Sequence, residues 1–163
     1  MLQITNRAIQ HYTLLIHQTF FYRRKSQFIN KPIRHQFTGF HFFQGLFSTA
    51  LEDGEIITEI SFPIPAKAAY AKMRHPASRF ALTGVFVAKT KSGDIRVAAT
   101  GASQNGVMRV PAIEAALKAN WSAGALDGVK ISADGLMEDI HGSAAYRANL
   151  IKVMAQRAVT EAG

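Results

Sequence analysis

Residues 81–101 constrain the fold of this chain most. Ala81 to Thr90 is a strand-forming run in which Val85 and Val87 share one face and Leu82 and Phe86 the other. A strand apolar on both faces has to be covered on both. Lys91-Ser92-Gly93-Asp94 is a turn sequence, and Ile95 to Gly101 returns as the second arm of a hairpin. Two more strands precede it. Glu55 to Phe62 contains the β-branched Ile56, Ile57, Thr58 and Ile60 and stops at Pro63 and Pro65, which cannot continue a central ladder. Ala68 to Met73 is the other, and Arg74-His75-Pro76-Ala77-Ser78-Arg79 is a loop, because Pro76 biases His75 away from helix.

Helical patterns flank these strands. Phe43, Leu46, Phe47 and Ala50 fall at i, i+3, i+4 and i+7 and predict a short amphipathic helix, stopped at Glu52-Asp53-Gly54. Pro111 suits a first helical turn, and Ile113, Ala116 and Leu117 form an apolar stripe behind it. Trp121 to Gly135 is helix-prone but interrupted by Gly124, Gly128 and Gly135. Ser143 caps a last helix that runs to about Ala162, with Tyr146, Leu150, Met154 and Ala158 on one face. Strands followed by helices predict an α+β fold: an antiparallel β-sheet of three to four strands packed against a bundle of about three helices.

The basic charge of the chain is local. Of 163 residues, 19 are Lys or Arg and 11 Asp or Glu, a formal net charge of +8. Residues 1–40 hold six of the basic residues and no acid, which leaves 13 basic and 11 acidic residues, a net of +2, for 41–163. The same 40 residues contain one alanine and seven of the 16 aromatics, against 24 alanines in the remaining 123. Residues 1–41 therefore read as a non-homologous basic extension that packs little against a domain spanning 42–163. The uncharged run from Ala8 to Tyr22 is too polar and short to span a bilayer, and no transmembrane segment is predicted. It also lacks the order of a signal peptide, in which basic residues come first and small residues last.

Several chemistries are excluded or weakly signalled. The chain has no cysteine, which removes thiolate metal sites, iron–sulfur clusters and a cysteine nucleophile. It has no phosphate-binding P-loop, dinucleotide fingerprint, nucleophile elbow or two-histidine zinc motif. The six histidines, His11, His17, His35, His41, His75 and His141, are scattered, which predicts no metal site. Gly101 to Gly106 is a strand-to-helix turn with at most a weak claim to hold an anion. Asp134, Glu138 and Asp139 read as a solvated acidic stretch. Aromatic residues interleaved with the body's basic ones, as base stacking needs, are missing, so no nucleic-acid partner is expected. The alternative is a small basic binding module whose N-terminal extension contacts nucleic acid or an anionic membrane.

A series of short motifs is more specific. Phe43-Gln44-Gly45-Leu46-Phe47-Ser48-Thr49-Ala50-Leu51 leads into Gly54-Glu55-Ile56-Ile57-Thr58-Glu59-Ile60. Then come Ala69-Tyr70-Ala71-Lys72, Arg74-His75-Pro76-Ala77-Ser78 and, late in the chain, His141-Gly142-Ser143-Ala144-Ala145-Tyr146-Arg147. In this order and spacing the series resembles the C-terminal domain of the FAD-binding medium subunit of carbon monoxide dehydrogenase-like molybdenum hydroxylases, a domain type shared with xanthine dehydrogenases.

The resemblance implies an antiparallel sheet with a three-helix bundle that closes over a flavin held mainly by two glycine-rich segments of preceding domains. It implies FAD as the cofactor of the parent family. It also implies a cytoplasmic assembly with a molybdenum-cofactor large subunit and an iron–sulfur small subunit. This chain has no counterpart of either glycine-rich segment. It is expected to be a truncated medium subunit, inactive by itself, with weak or absent FAD binding. Three residues take cofactor-binding roles by the resemblance: Ile57 against the FAD, Lys72 near the flavin ring and Phe80 over the isoalloxazine. Phe80 stands where close relatives often carry tyrosine, and Arg79 where family members often carry an acid. No catalytic residue and no metal ligand are implied.

Overall fold

The computed structural model describes residues 19–24, 33–38, 42–45 and 48–163. The expected uncharged run from Ala8 to Tyr22 lies mostly outside them. The chain divides into two compact units, Met1–Pro63 and Ile64–Gly163.

In the first unit, β1 (Thr19–Arg24) lies between β2 (Ile33–Thr38) and β5 (Glu55–Ser61) in an antiparallel three-stranded sheet. The β1–β5 register shifts between Phe21 and Tyr22. β5 occupies the expected strand. A two-stranded ribbon pairs β3 (Phe43–Gly45) with β4 (Ser48–Thr49), so the helix expected over Phe43–Ala50 is not formed. Four apolar residues at helical spacing do not outweigh Phe43 and Thr49, which favour strands, and Gly45, which disfavours a helix. Phe42 is buried against Ala50, Leu51 and Ile60, and its carbonyl accepts from the Ala50 amide at 2.8 Å. The change in composition near residue 41 and the division at Pro63 fall at different places. Strand β1 comes from the acid-free segment and pairs with β5.

The second unit is a four-stranded antiparallel sheet in the order β6 (Lys67–Arg74), β7 (Ala81–Lys89), β8 (Ile95–Ser103), β9 (Gly106–Arg109). Helices α1 (Pro111–Ala119) and α2 (Ala144–Ala162) and a short 3-10 turn (Ala123–Leu126) complete it. The fold is α+β, as the order of patterns predicts. Among the described residues there are two α-helices rather than about three. Gly124 and Gly128 limit the Trp121–Gly135 segment to the single 3-10 turn, because glycine loses the most backbone freedom in a helix.

Alternation sorts the sheet's faces. Ala69, Ala71 and Met73 of β6, Val85 and Val87 of β7, and Val97 and Ala99 of β8 join the core formed with Ile113, Leu117, Leu126, Ile151, Met154, Ala155, Ala158 and Val159. Residues 83–88 of β7 are all buried, as its two apolar faces require. The 91–94 turn closes with the Gly93 amide donating to the Thr90 carbonyl at 3.0 Å, with Gly93 at φ 90°. The segment Gly101–Gly106 is not a loop before a helix. β8 runs on to Ser103, Gln104 and Asn105 turn, and β9 returns.

Both helices start as the sequence indicates. Pro111 opens α1. Glu114 in its first turn accepts the Val97 amide at 2.8 Å and pairs with Arg109 at 2.5 and 2.6 Å, which ties α1 to β8 and β9. The Ser143 side chain accepts the Tyr146 amide at 3.2 Å and caps α2. No described helix is long and apolar enough to cross a membrane.

Candidate functional site

The three residues singled out by resemblance are divided between the two units. Ile57 lies on β5 of the first, opposite Tyr22 of β1, and is partly exposed. Lys72 and Phe80 belong to the second, where the structure brings them to one end of the β6–β7 hairpin. Lys72 is exposed, on the sheet face away from the helices, and its Nζ donates to the Arg79 carbonyl at 3.5 Å. Phe80 closes the loop with 52% of its surface exposed.

The loop between them is held by its own backbone. The His75 amide donates to the Phe80 carbonyl at 2.8 Å, and the Arg79 amide donates to the His75 carbonyl at 2.9 Å. Closing it places Arg79 at φ 61°, in the left-handed region, a conformation that costs a side-chain-bearing residue about 1–2 kcal/mol. The His75 side chain reinforces the turn: its Nδ1 accepts from the amides of Ala77 and Ser78, both at 3.3 Å.

Beyond this loop the hairpin is closely packed. Tyr70, two residues before Lys72, crosses Gly84. A Cβ at Gly84 would lie 2.1 Å from the Tyr70 hydroxyl and 2.9 Å from Thr100 Oγ1. The same hydroxyls bond to each other at 3.2 Å. Burial pushes the Tyr70 phenol above its ordinary pKa, with the Thr100 bond acting in the other direction.

Sequence reasoning missed a second group. His141, 66 residues from His75, meets it: His75 Nε2 and His141 Nδ1 are 3.1 Å apart, and the rings are edge-on at 83° with centroids at 4.4 Å. Asp139 accepts the His141 amide at 2.9 Å on Oδ1 and the Arg147 Nη2 at 2.7 Å on Oδ2. The His141 amide bond, followed by the Arg147 guanidinium, holds the Asp139 carboxyl below its ordinary range. Asp139 is thus a pairing residue rather than part of a merely solvated stretch. Arg147 is buried on α2, and its Nη1 donates to the carbonyls of Leu82 at 2.6 Å and Gly101 at 2.8 Å. The signal for this group was present in the sequence only as turn residues, Pro76 and Gly142, beside each histidine. Among the described residues no group of three or more His, Cys, Asp or Glu side chains is placed to hold a metal ion.

Comparison with known proteins gives a consistent set. Over 130 residues the chain is 31% identical to the medium subunit of nicotine 6-hydroxylase from Paenarthrobacter nicotinovorans, a match spanning 74% of this chain and 46% of that subunit. The chain therefore spans about half the length of the curated relative it matches. Its fold is shared with the carbon monoxide dehydrogenase of Oligotropha carboxidovorans, with a TM-score of 0.70 at 21% identity over 94% of this chain and 55% of that one. It is shared also with quinoline 2-oxidoreductase from Pseudomonas putida 86, with a TM-score of 0.62 at 20% identity over 95% and 55%. No family model matches the chain.

Proposed function

We propose that this chain, a relative of the C-terminal domain of the medium subunits of carbon monoxide dehydrogenase-like molybdenum hydroxylases, covers one side of an FAD in a multi-subunit oxidoreductase. The observation that carries the reading is the placement of an exposed aromatic ring, Phe80, and an exposed ammonium, Lys72, around one short loop. This pair fits one side of a flavin, which is flat, apolar across its face and electron-accepting along one edge. Ile57, on β5, is proposed as an FAD contact by the resemblance alone.

When bound, FAD accepts a pair of electrons and passes them on. The Lys72 ammonium would stabilise negative charge developing on a flavin held beside it. The Phe80 ring would offer a face to the isoalloxazine and exclude water from it, a contact worth roughly 0.5–1.5 kcal/mol beyond burial. Where relatives often carry tyrosine, Phe80 keeps the ring face and lacks the hydroxyl. Arg79, in place of a frequent acid, would change how the loop tunes the flavin potential. The molybdenum-cofactor and iron–sulfur subunits are the proposed partners.

Affinity for FAD also needs its pyrophosphate neutralised by backbone amides at glycine-rich turns or helix N-termini. Gly101–Gly106, the glycine-bounded segment weighed for an anion, is a strand hairpin rather than a turn into a helix. Ligand sites bury most of their ligand, so the chain alone is expected to bind FAD weakly. The test is a flavin titration of the purified chain, alone and with the remaining domains of a medium subunit supplied in trans. The expected result is weak binding alone, tighter binding in the mixture, and a weakened or potential-shifted flavin with Lys72→Ala or Phe80→Ala. Stoichiometric FAD on the isolated chain would overturn the one-sided reading. Insensitivity of the reconstituted flavin to both substitutions would overturn the residue roles.

A further inference from the structure

We infer that His75 and His141 form a clasp of two neutral imidazoles that positions the loop carrying Arg79 and Phe80. His141 is the positioning residue, and the Asp139–Arg147 pair is its footing.

The hydrogen bonds allow one arrangement of protons. His75 Nδ1 accepts from the amides of Ala77 and Ser78, and a ring nitrogen that accepts an N–H bond carries no proton itself. The His75 proton is therefore on Nε2, which points at His141 Nδ1 at 3.1 Å. His141 Nδ1 must accept, so the His141 proton is on Nε2. The edge-on geometry of the rings suits an N–H directed at the lone pair of its neighbour.

The clasp is anchored at both ends. On one side His75 lies inside the closed backbone loop whose last residue is Phe80. On the other, the Asp139–Gly142 turn is closed by reciprocal backbone bonds of 3.3 and 3.2 Å. Asp139 bonds the His141 amide and Arg147, and Arg147 bonds the strand carbonyls of Leu82 and Gly101. The path from Phe80 through His75, His141, Asp139 and Arg147 thus returns to β7 just after Phe80. A closed ring of bonds restrains a loop more than a single contact does, because the loop cannot swing without breaking a member.

The same bonds argue against a metal between the rings. A shared cation would need both facing lone pairs, and the His75 proton would then sit on Nδ1 against two backbone donors. The clasp requires no bound flavin, so it stands or falls separately from the reading above.

The experiment uses the full chain labelled with nitrogen-15. Long-range proton–nitrogen spectra, assigned with His75→Gln and His141→Gln, are expected to show unprotonated Nδ1 on both rings. Amide exchange is then read at His75 and Arg79, whose N–H groups close the loop. His141→Leu is expected to speed both about fivefold, as loss of one hydrogen bond does, while the amides of β7 keep their wild-type rates. His141→Gln offers an acceptor to His75 Nε2 and is expected to restore most of the protection. A proton on His75 Nδ1, unchanged loop exchange in His141→Leu, or no difference between Leu and Gln would each overturn the inference. Should His141→Leu fail to fold, the wild-type proton positions and the Gln variant still decide.

Discussion

Arg147→Met removes a buried guanidinium while keeping the length of its apolar stem. Arg147 Nη1 serves two strand carbonyls, Leu82 and Gly101, and its Nη2 serves Asp139. The Asp139 arm contributes least, because that carboxylate side chain is 40% exposed and water replaces the lost partner. The carbonyls cannot move, being fixed in β7 and β8. Leaving each without its charged donor costs about 1–3 kcal/mol, with the low end apt for half-buried residues. Against this, the substitution relieves the desolvation of a charge whose buried Nε has no partner, a term that makes some buried ions neutral or costly. Because the acceptors remain in place, the lost bonds win, and a net loss of about 2–3 kcal/mol is expected. Trp121 is the chain's single tryptophan and packs on the second unit's core, so its fluorescence during urea unfolding reports that unit. The expected result is a lower midpoint at unchanged slope. A midpoint at or above the wild-type value would show that the guanidinium costs more to bury than its bonds return.

Ser143→Ala removes the N-cap of α2 and is expected to lower stability by about 1 kcal/mol in the same assay. Gly84→Ala drives a methyl group into the Tyr70 ring and is expected to cost about 1–3 kcal/mol. Adding Tyr70→Phe should recover only part of that loss, since the ring carbon Cζ is also within 2.7 Å. Asp139 has a folded-state pKa below its ordinary value. The stability it lends is therefore complete above the ordinary aspartate range and lost as pH falls through the lowered value. Unfolding midpoints of Asp139→Asn should accordingly fall less steeply than wild type across that acid range; equal slopes would remove Asp139 from the account.

The parts of the fold that were legible in the sequence are those set by local chemistry. β-Branched runs bounded by prolines or a turn tetrapeptide marked β5, β7 and β8, and Pro111 and Ser143 marked the starts of α1 and α2. What was lost is what short patterns cannot carry. The eight residues from Phe43 to Ala50 satisfy a helical stripe, yet Phe43–Gly45 pairs with Ser48–Thr49 as a ribbon, a choice that so short a pattern does not decide. β9 is four residues long, and Val107 and Met108 are too few to display alternation. The His75–His141 contact was not legible at all, since no local spacing records a pairing across 66 residues. Lys72 and Phe80 could be named only through resemblance, because an exposed lysine and an exposed phenylalanine are ordinary when read singly.

The motifs that look independent along the chain are not independent in the second unit. Tyr70 fixes β6 over Gly84 and Thr100, and that sets where Lys72 emerges. His75 shapes the loop that ends in Phe80, and the His141–Arg147 stretch supplies both the contact to His75 and the guanidinium that returns to Leu82. Each motif therefore constrains the same end of one hairpin, and a change in one alters the surroundings of the others. Residues that share bonds this way are expected to couple non-additively, by about 0.5–3 kcal/mol. It follows that Arg147, which does not touch the proposed flavin face, should influence it through the loop. In a double-substitution cycle on the reconstituted flavin, Arg147→Met and Phe80→Ala should together weaken binding by less than the sum of their separate effects, because Phe80 contributes only while its loop is held in place. Strict additivity would mean that the ring finds its position without help from α2, and that the linkage is a feature of folding alone.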